Sequence, residues 1–319
     1  MIFENTMAGR LDAILAAELS QPRNQIEKLI KNIGVKVDGK TIQKSSHKLL
    51  GNEVIEYKFI EADKQKESYE VDFDIEVLYE DDDILIVNKP PFLTVHPAPS
   101  VKEVTLVDWL IKRGISLSTI SGEERHGIVH RIDKETSGAL VIAKNNEAHV
   151  KLSAQLEDKS MGRYYLALVD VPLKEDCIID QPIGRSHRNR LKMAVVEGAR
   201  ESKSAFAKLC LSHDENTELI SAKLFTGRTH QIRVHLGVLS RHILGDSLYG
   251  FKSQNSKISR VMLHAYILYL KHPTTGKHMQ VIAPLFEDFE NILKKHFNED
   301  CINEKIDSNY ITEHFNSFC

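Results

Sequence analysis

The chain has 319 residues, of which 42% are hydrophobic and 27% charged, and its net charge is −3. This length suggests about two domains. No apolar run approaches the roughly 18 residues of a membrane helix, and the N-terminus lacks the pattern of a secretory signal, so no membrane association is expected. Four scattered cysteines fit neither a zinc pattern nor a disulfide framework, and a reducing cytoplasm is the simplest setting.

The charge is distributed unevenly along the chain. Residues 23–48 and 184–208 each contain seven Lys or Arg against two acidic residues, whereas residues 287–319 contain eight acidic residues against three lysines. Basic segments on a mildly acidic protein favour binding of a polyanion at defined faces. For either segment taken alone, an ordinary solvated surface explains the charge equally well.

The first sixty residues have the pattern of a small separate module. Apolar residues at helical spacing predict one helix that ends near Pro22 and a second that ends at Gly34. Residues 35–42 predict a tight hairpin around Asp38-Gly39, and residues 54–57 predict a closing strand.

The runs 9–12, 23–31 and 35–40 resemble the S4 RNA-binding domain, with Pro22 where a serine cap is expected. The resemblance implies that residues 1–60 form such a domain. It also implies that the second helix and the following loop face structured RNA, with Arg23, Lys28 and Lys31 as binding residues.

Residues 61–74 are polar and lack periodicity, which is typical of a linker. Beyond them, short apolar runs predict strands at 84–87, 139–142, 165–169, 219–224 and 262–265, and helical patterns occur at 106–113, 148–156 and 231–239. Because strands outnumber helices, residues 75–297 are predicted to form an α+β domain with a mixed or antiparallel sheet. The acidic residues 298–319 are expected to be a partly mobile tail.

The densest group of polar residues lies between two apolar runs, in the sequence His130-Arg131-Ile132-Asp133-Lys134-Glu135-Thr136-Ser137-Gly138. A strand enters this segment and a strand leaves it, so the segment is predicted to be a loop at a sheet edge, where a rigid scaffold can present reactive groups. A bare turn with salt bridges needs fewer charged residues, so we interpret it as a catalytic loop.

A second polar group, Gly227-Arg228-Thr229-His230-Gln231-Ile232-Arg233-Val234-His235, joins a predicted strand to a predicted helix. A helix N-terminus with these side chains is well suited to bind phosphate. Taken alone, the pattern also fits an ordinary capped helix.

Together the two groups resemble the H-R-L-D-x-x-T-S-G and G-R-T-H-Q-I-R-V-H motifs of the RluA family of pseudouridine synthases, with Ile132 in place of the usual leucine. Further agreement is found at 87–90, 95–97, 165–167, 245–250 and 272–273, so that the resemblance spans about residues 75–295. It implies an isomerase that converts uridine to pseudouridine in RNA. This conversion changes no oxidation state and loses no atom, so neither a metal nor an organic cofactor is expected.

The resemblance also implies the roles of the catalytic residues. Asp133 is the family carboxylate, which either attacks C1′ of the nucleotide or removes the C2′ proton; the sequence leaves both routes open. Arg233 occupies the position that pairs with this carboxylate and would hold it charged and oriented. Tyr165 matches the tyrosine that stacks on the uracil, whereas the neighbouring Tyr164 is expected to point to the opposite face of the strand.

The same resemblance implies further contacts with RNA. Arg131 matches the arginine that fills the space left by the flipped uridine. Arg228 and His230 are predicted phosphate or base contacts, and Arg188 and Arg190 lie in a segment that resembles a basic RNA-binding loop of the family.

An S4 domain on this catalytic domain most resembles the RluD-like branch, which implies large-subunit 23S ribosomal RNA as the substrate, alone or in pre-ribosomal particles, and a cytoplasmic monomer. Three alternatives stay open: a transfer RNA pseudouridine synthase, a non-catalytic RNA-binding assembly factor, and a nucleoside glycoside hydrolase. The hydrolase would need a second carboxylate, for which Glu135 is the nearby candidate.

Overall fold

The computed structural model describes residues 2–19, 23–57, 70–97, 101–115, 117–118, 127–250 and 258–319. It consists of a small N-terminal module and a larger α+β unit, as predicted. The N-terminal module contains, in chain order, β1 (Ile2–Glu4), β2 (Gly9–Arg10), α1 (Leu11–Glu18), α2 (Arg23–Asn32), β3 (Val35–Val37), β4 (Lys40–Ile42), β5 (Lys48–Leu49) and β6 (Val54–Glu56).

The elements of the larger unit begin with β7 (Val77–Glu80), β8 (Ile84–Lys89), α3 (Leu106–Lys112), β9 (Ser137–Ala143), α4 (Asn146–Glu157), β10 (Gly162–Val169), β11 (Cys177–Asp180), β12 (Ile183–Arg185) and β13 (Met193–Val195). They continue with β14 (Lys203–Leu211), β15 (Glu218–Leu224), α5 (Gln231–Val238), β16 (Leu263–Lys271), β17 (His278–Ile282), α6 (Glu287–His296), α7 (Glu299–Lys305) and α8 (Ser308–Phe318).

In the N-terminal module, two helices pack on one sheet of order β1-β6-β3-β4. The apolar stripes that predicted the helices form its core, because Leu11, Leu15, Ile26 and Ile30 are almost fully buried together with Ile55 of β6. The β3–β4 hairpin is present, with Val35 opposite Ile42. The two predicted helices and the hairpin are therefore confirmed.

The larger unit is built on a nine-stranded sheet of order β11-β14-β15-β10-β16-β9-β8-β7, with β17 added beside β16. Its pairs are antiparallel except for β16 with β9, where His264 and Ala265 lie opposite Ser137 and Gly138. The sheet is therefore mixed. This confirms the prediction from the excess of short apolar strands.

The apolar run of β8 is buried because both faces of the sheet are covered there. Ile84 and Ile86 belong to one hydrophobic cluster with Leu152 of α4. Leu85 and Val87 belong to the main core, which also contains α3. Alternate residues of a strand point to opposite faces, so a strand covered on both sides has a continuous apolar sequence.

The predicted linker, 61–74, needs a correction at its end. Residues 58–69 lie outside the described residues, but Val71 is 4% exposed and belongs to the core of the larger unit. The Trp109 ring nitrogen also donates to the Asp74 carboxylate at 3.1 Å. The larger unit therefore begins before residue 75.

The prediction that residues 298–319 form a partly mobile tail is wrong. These residues form α7 and α8, whose side chains Ile302, Ile311 and Phe315 lie in the main core. Cys301 of α7 also forms a disulfide with Cys210 of β14, which the cysteine count did not predict. The acidic composition concealed apolar residues at helical spacing, which pack on the sheet while the charges face solvent.

Candidate active site

The loop that carries Asp133 runs from a single bridge between Ile128 and Ile142 to the start of β9 at Ser137. Its carboxylate is one-fifth exposed. The Thr136 amide donates to the Asp133 carbonyl at 3.1 Å and closes the turn. The backbone of the loop is therefore fixed while the carboxylate remains accessible.

A fully buried lysine donates hydrogen bonds to the backbone of this loop and of the segment after β8. Lys89, the last residue of β8, donates from Nζ to the carbonyls of Pro90, Leu93 and Lys134 at 2.7, 2.9 and 3.1 Å. Burial lowers the pKa of Lys89 to about 7. All three ammonium protons have acceptors, so that one buried group joins β8 to the residue after Asp133.

Arg233 of α5 faces Asp133, with Nη1 3.4 Å from Oδ2. Its Nε and Nη2 donate to the two oxygens of Asp246 at 2.7 and 2.8 Å, a bidentate pair that fixes the plane of the guanidinium. Burial alone would lower the pKa of Arg233, but the hydrogen bonds to Asp246 and the charges of Asp246 and Asp133 raise it above its ordinary value. Arg233 is therefore a permanent, oriented cation beside Asp133.

Asp246 is itself held in place. Its Oδ1 accepts the amides of Leu248 and Tyr249 at 3.0 and 2.9 Å. Burial would raise the pKa of Asp246, but the hydrogen bonds and charge of Arg233 lower it below its ordinary value. The Tyr249 ring lies against the guanidinium of Arg233, at 4.9 Å from its centroid. Asp246 and Tyr249 thus fix the orientation of the Arg233 guanidinium and leave its Nη1 facing Asp133.

His230 precedes α5 and has a left-handed backbone with φ of 56°. Its Nδ1 lies 2.9 Å from the Tyr249 hydroxyl and its Nε2 lies 3.9 Å from Asp133 Oδ2. Burial lowers the pKa of His230 despite the nearby Asp133 carboxylate, so the ring is neutral at neutral pH. It can form hydrogen bonds but adds no charge to the site.

Tyr165 of β10 lines the same cleft as Asp133 and is 4% exposed. Burial raises the pKa of its hydroxyl. Tyr164 instead packs against the rings of Tyr269 and Phe315, with centroid distances of 5.5 and 5.2 Å. The different surroundings of the two tyrosines are those expected from strand alternation.

The cleft around these residues has a volume of about 420 Å³, within the usual range for small ligands. Asp133 is the one carboxylate among the described residues that line it. Glu135, the other carboxylate considered from the sequence, is half-buried and does not line the cleft. Five arginines do, namely Arg131, Arg163, Arg200, Arg228 and Arg233. A cleft with five guanidinium groups and one carboxylate favours an anionic ligand.

The structure brings only some of the predicted RNA-binding residues to the cleft. Arg131 is exposed at its rim, and Arg228 is half-buried with Nε 3.1 Å from the Glu201 carbonyl. Arg188 and Arg190 are exposed in the turn of the β12–β13 hairpin and do not line the cleft.

The predicted residues of the N-terminal module have different environments. Arg23 donates from Nε and Nη2 to both carboxylate oxygens of Asp12 at 3.0 to 3.2 Å, so much of its donor capacity is used within the module. Lys31 is exposed near the end of α2. The side chain of Lys28 lies outside the described residues.

Four residues of the site did not enter the sequence prediction as site residues. Arg163 and Arg200 line the cleft, while Asp246 and Tyr249 orient Arg233. Gly245-Asp246 and Tyr249-Gly250 match the family in sequence, and this match is the signal that the chain offers for them. Their partners lie on other segments of the chain, so their function became visible only in the fold.

One group of residues in the described part of the chain has the composition of a metal site. Asp81, Asp83 and His272 lie close together. However, His272 Nε2 lies 2.6 Å from Asp81, and its Nδ1 accepts the amides of Thr274 and Thr275 at 3.2 and 3.1 Å. Both ring nitrogens are engaged, so we assign this group to the structure of the turn.

Similarity to known proteins agrees with this geometry. The family described as RNA pseudouridylate synthase matches residues 83–237, and the S4 domain matches residues 9–55. An uncharacterized RNA pseudouridine synthase of Helicobacter pylori (strain J99) is 45% identical over 312 residues, which cover 96% of this chain and 95% of that protein. The ribosomal large subunit pseudouridine synthase D of Pseudomonas aeruginosa is 37% identical over 302 residues, covering 88% and 89% of the two chains.

The solved structure of human RNA pseudouridylate synthase domain containing 1 is similar in fold, with a TM-score of 0.55 and 26% identity over 66% of this chain and 84% of that one. The fold, the cleft and these similarities define an RNA-modifying isomerase. The chain belongs to the RNA pseudouridine synthase family and carries an N-terminal S4 domain. No helix in the described ranges has the length and apolar character needed to cross a membrane.

Proposed function

We propose that the protein isomerises specific uridines of 23S ribosomal RNA to pseudouridine, with Asp133 as the catalytic carboxylate. One observation carries the chemical part of this proposal: Asp133 is the single carboxylate among the described residues lining the cleft, and Arg233 lies 3.4 Å from it. A glycoside hydrolase uses two carboxylates across the scissile bond. A lone, oriented carboxylate fits the isomerisation better.

In this reaction the N1–C1′ bond of uridine breaks, the uracil rotates, and a C5–C1′ bond forms. C5 loses a proton and N1, freed from C1′, takes one up, so the atoms balance without a cofactor. Asp133 starts the reaction either by attacking C1′ or by removing the C2′ proton, and both routes need an ionised carboxylate. Arg233 orients that carboxylate, while Asp246 and Tyr249 hold Arg233.

The target uridine has to leave its stack before C1′ can reach Asp133, which costs a few kcal/mol. Arg131 is exposed at the rim of the cleft, and its planar guanidinium is able to occupy the space of the flipped base. Tyr165 stacks on the uracil inside the cleft and assists loss of the C5 proton. Because burial raises the pKa of its hydroxyl, the tyrosine enters the reaction protonated, so its oxygen accepts the C5 proton only as the phenol passes its own proton to solvent.

The identity of the RNA rests on the relatives. Proteins named ribosomal large subunit pseudouridine synthase D from Pseudomonas aeruginosa and Zymomonas mobilis are 37% and 39% identical to this chain. We extend their substrate to this protein and place it in the cytoplasm, where it acts as a monomer on ribosomal RNA or pre-ribosomal particles. The exposed Lys31, Arg188 and Arg190 contact phosphates of the same RNA.

Tritium release from RNA that contains [5-³H]uridine tests the chemistry. The wild-type protein is expected to release tritium without free uracil, whereas Asp133→Asn releases none above background. Glu135→Gln is a matched control, since this half-buried carboxylate lies two residues away and outside the cleft lining. Free uracil would identify a glycoside hydrolase, and RNA binding without tritium release would identify a non-catalytic assembly factor.

Mapping of pseudouridines in a deletion strain tests the substrate. We expect at least one pseudouridine of 23S ribosomal RNA to disappear and to return on expression of the wild-type protein but not of Asp133→Asn. Unchanged ribosomal RNA together with a missing pseudouridine in transfer RNA would replace the proposed substrate.

A further inference from the structure

Arg260 is a fully buried arginine just before β16, and it does not line the cleft. Its Nε and Nη2 donate to the two carboxylate oxygens of Asp288 on α6 at 2.5 and 2.7 Å. Its Nη1 donates to the Ser137 hydroxyl at 3.2 Å. A buried guanidinium is costly unless it is paired, so this arrangement calls for an explanation.

Ser137 is the residue with which the Asp133 loop returns to the sheet as the start of β9. Its hydroxyl lies 2.8 Å from His264 Nδ1, and His264 Nε2 lies 3.0 Å from the Ala283 carbonyl. This pattern assigns the tautomer: Nε2–H donates to the carbonyl, and Nδ1 accepts from the serine hydroxyl. Burial lowers the pKa of His264 to about 4, which agrees with a neutral ring. Every polar group of the network thus has a partner.

The exit of the loop is also held by the backbone. Gly138 has φ of 114°, and a Cβ at this position would lie 2.3 Å from the Ala265 carbonyl oxygen. Only glycine permits the close parallel approach of β9 to β16. The end of the Asp133 loop therefore has its position set by β16 and by the residues that precede it.

The backbone of Arg260 contacts the other half of the site. A Cβ on Gly245 would lie 1.8 Å from the Arg260 carbonyl oxygen, and the Met262 amide donates to the Leu244 carbonyl at 2.9 Å. Gly245 is followed directly by Asp246, the carboxylate that accepts from Arg233. Residues 260–262 thus contact the turn that orients Arg233 through their backbone. The side chain of Arg260 contacts Ser137, at the end of the loop that carries Asp133.

We propose that Arg260, held by Asp288, is a positioning residue that joins the Asp133 loop to the Asp246 turn and thereby sets the geometry between Asp133 and Arg233. This inference rests on the proposed function of Asp133. Stability alone is a weak reason for the arrangement, because replacing a buried ion pair with apolar residues often leaves a protein equally stable or makes it more stable. A small displacement of a catalytic group, in contrast, is expensive for the rate, at about 100-fold for 1 Å.

Single-turnover tritium release at saturating RNA tests the proposal with Asp288→Asn. Asp288 lies outside the cleft, and its side chain is 38% exposed, so an asparagine fits there and keeps one acceptor oxygen for Arg260, although the loss of the charge lowers stability. We expect the rate to fall by about tenfold, since the displacement is smaller than 1 Å, while the RNA concentration at half-saturation changes less than twofold. An unchanged rate would overturn the proposal.

The matched control is Leu293→Ala on the same helix. Leu293 is 5% exposed in the core and takes no part in the polar network. This variant is expected to lower the melting temperature and to keep the single-turnover rate when assayed well below that temperature. If Leu293→Ala and Asp288→Asn lose rate in proportion to their loss of stability, the role of Asp288 is structural only.

Ser137→Ala provides a second test, because it removes the hydroxyl that accepts from Arg260 and contacts His264, while Asp288 keeps both of its hydrogen bonds with Arg260. We expect a severalfold loss of rate. We also expect the double variant to lose about as much as Asp288→Asn alone, because both changes act through Arg260. If the fold-losses of the two single variants multiplied in the double variant, Ser137 and Asp288 would not act through Arg260. Activity of Asp133→Asn would contradict the proposed function itself, whereas an inactive Asp133→Asn with a fully active Asp288→Asn would overturn this inference alone.

Discussion

Asp12 and Asp246 both bind arginine through the two oxygens of the carboxylate, as Asp288 does, and the surroundings of Asp12 and Asp246 differ. In the S4 domain, Asp12 is fully buried, but its partners Arg10 and Arg23 are about half exposed. In the catalytic domain, Asp246 and Arg233 are 1% and 7% exposed, and Arg233 has one further nitrogen facing Asp133.

The difference indicates two uses of the same contact. The arginines around Asp12 pair with a buried carboxylate near the starts of α1 and α2, so we expect them to act on the stability of the S4 domain. Arg233 is buried, held by Asp246 on one side and facing Asp133 on the other, so we expect it to act on the geometry of Asp133.

The largest effect is expected for Arg233→Met. The change removes the cation that orients Asp133, so the single-turnover rate of tritium release falls by about 100- to 1000-fold, the size of effect seen when a preorganised charge contact is lost. It also leaves Asp246 buried without its partner, at a cost of about 3 kcal/mol in the free energy of unfolding. Thermal melting measures the second effect. A fully active Arg233→Met would remove the difference between the two pairs.

A smaller effect, confined to stability, is expected for Asp12→Asn. Hydrogen bonds from Arg10, and further ones from Arg23, outweigh burial and lower the pKa of Asp12 to about 2. A carboxylate with a lowered pKa stabilises the folded state above its ordinary pKa, and this contribution is lost as the pH falls through the folded value. The difference in free energy of unfolding between wild type and Asp12→Asn should therefore be full above about pH 4 and shrink towards pH 2.

Denaturant titrations followed by a probe in the S4 domain measure this difference at each pH. The single-turnover rate at saturating RNA and neutral pH serves as the control and should match that of the wild type. A large loss of that rate would mean that the S4 pair also acts on the cleft.

The smallest effect is expected for Lys31→Ala, which removes one exposed charge from the S4 domain. RNA affinity should fall severalfold at low salt, and the slope of log affinity against log salt should decrease by about one, because one phosphate contact is lost. Lys151→Ala, which replaces a half-buried lysine on α4 that pairs with Glu147, is the matched control and should leave the slope unchanged. An unaltered slope for Lys31→Ala would place the RNA elsewhere on the domain.

The sequence predicted those parts of the molecule whose signals are local. Continuous apolar runs identified β8, β9, β10 and β15, because a strand covered on both faces needs such a run. The two long motifs supplied Asp133 and Arg233, a hundred residues apart, and the fold places them in contact.

What the sequence did not predict depends on contacts between distant segments. Asp246 and Arg260 have ordinary surroundings in the chain, and their partners become visible only when the sheet is assembled. The C-terminal helices were missed because their acidic composition outweighed Ile302, Ile311 and Phe315, although Ile311 and Phe315, four residues apart, have helical spacing. The spacing, rather than the composition, was the signal that predicts packing.

Single-turnover tritium release from [5-³H]uridine RNA by Asp133→Asn, with RNA affinity measured in parallel, tests the central claim most directly. The claim predicts that the affinity stays within about twofold of the wild type, since the neutral amide keeps the shape of the side chain, and that the rate falls by at least about 1000-fold. Release of tritium by Asp133→Asn at the wild-type rate would contradict it.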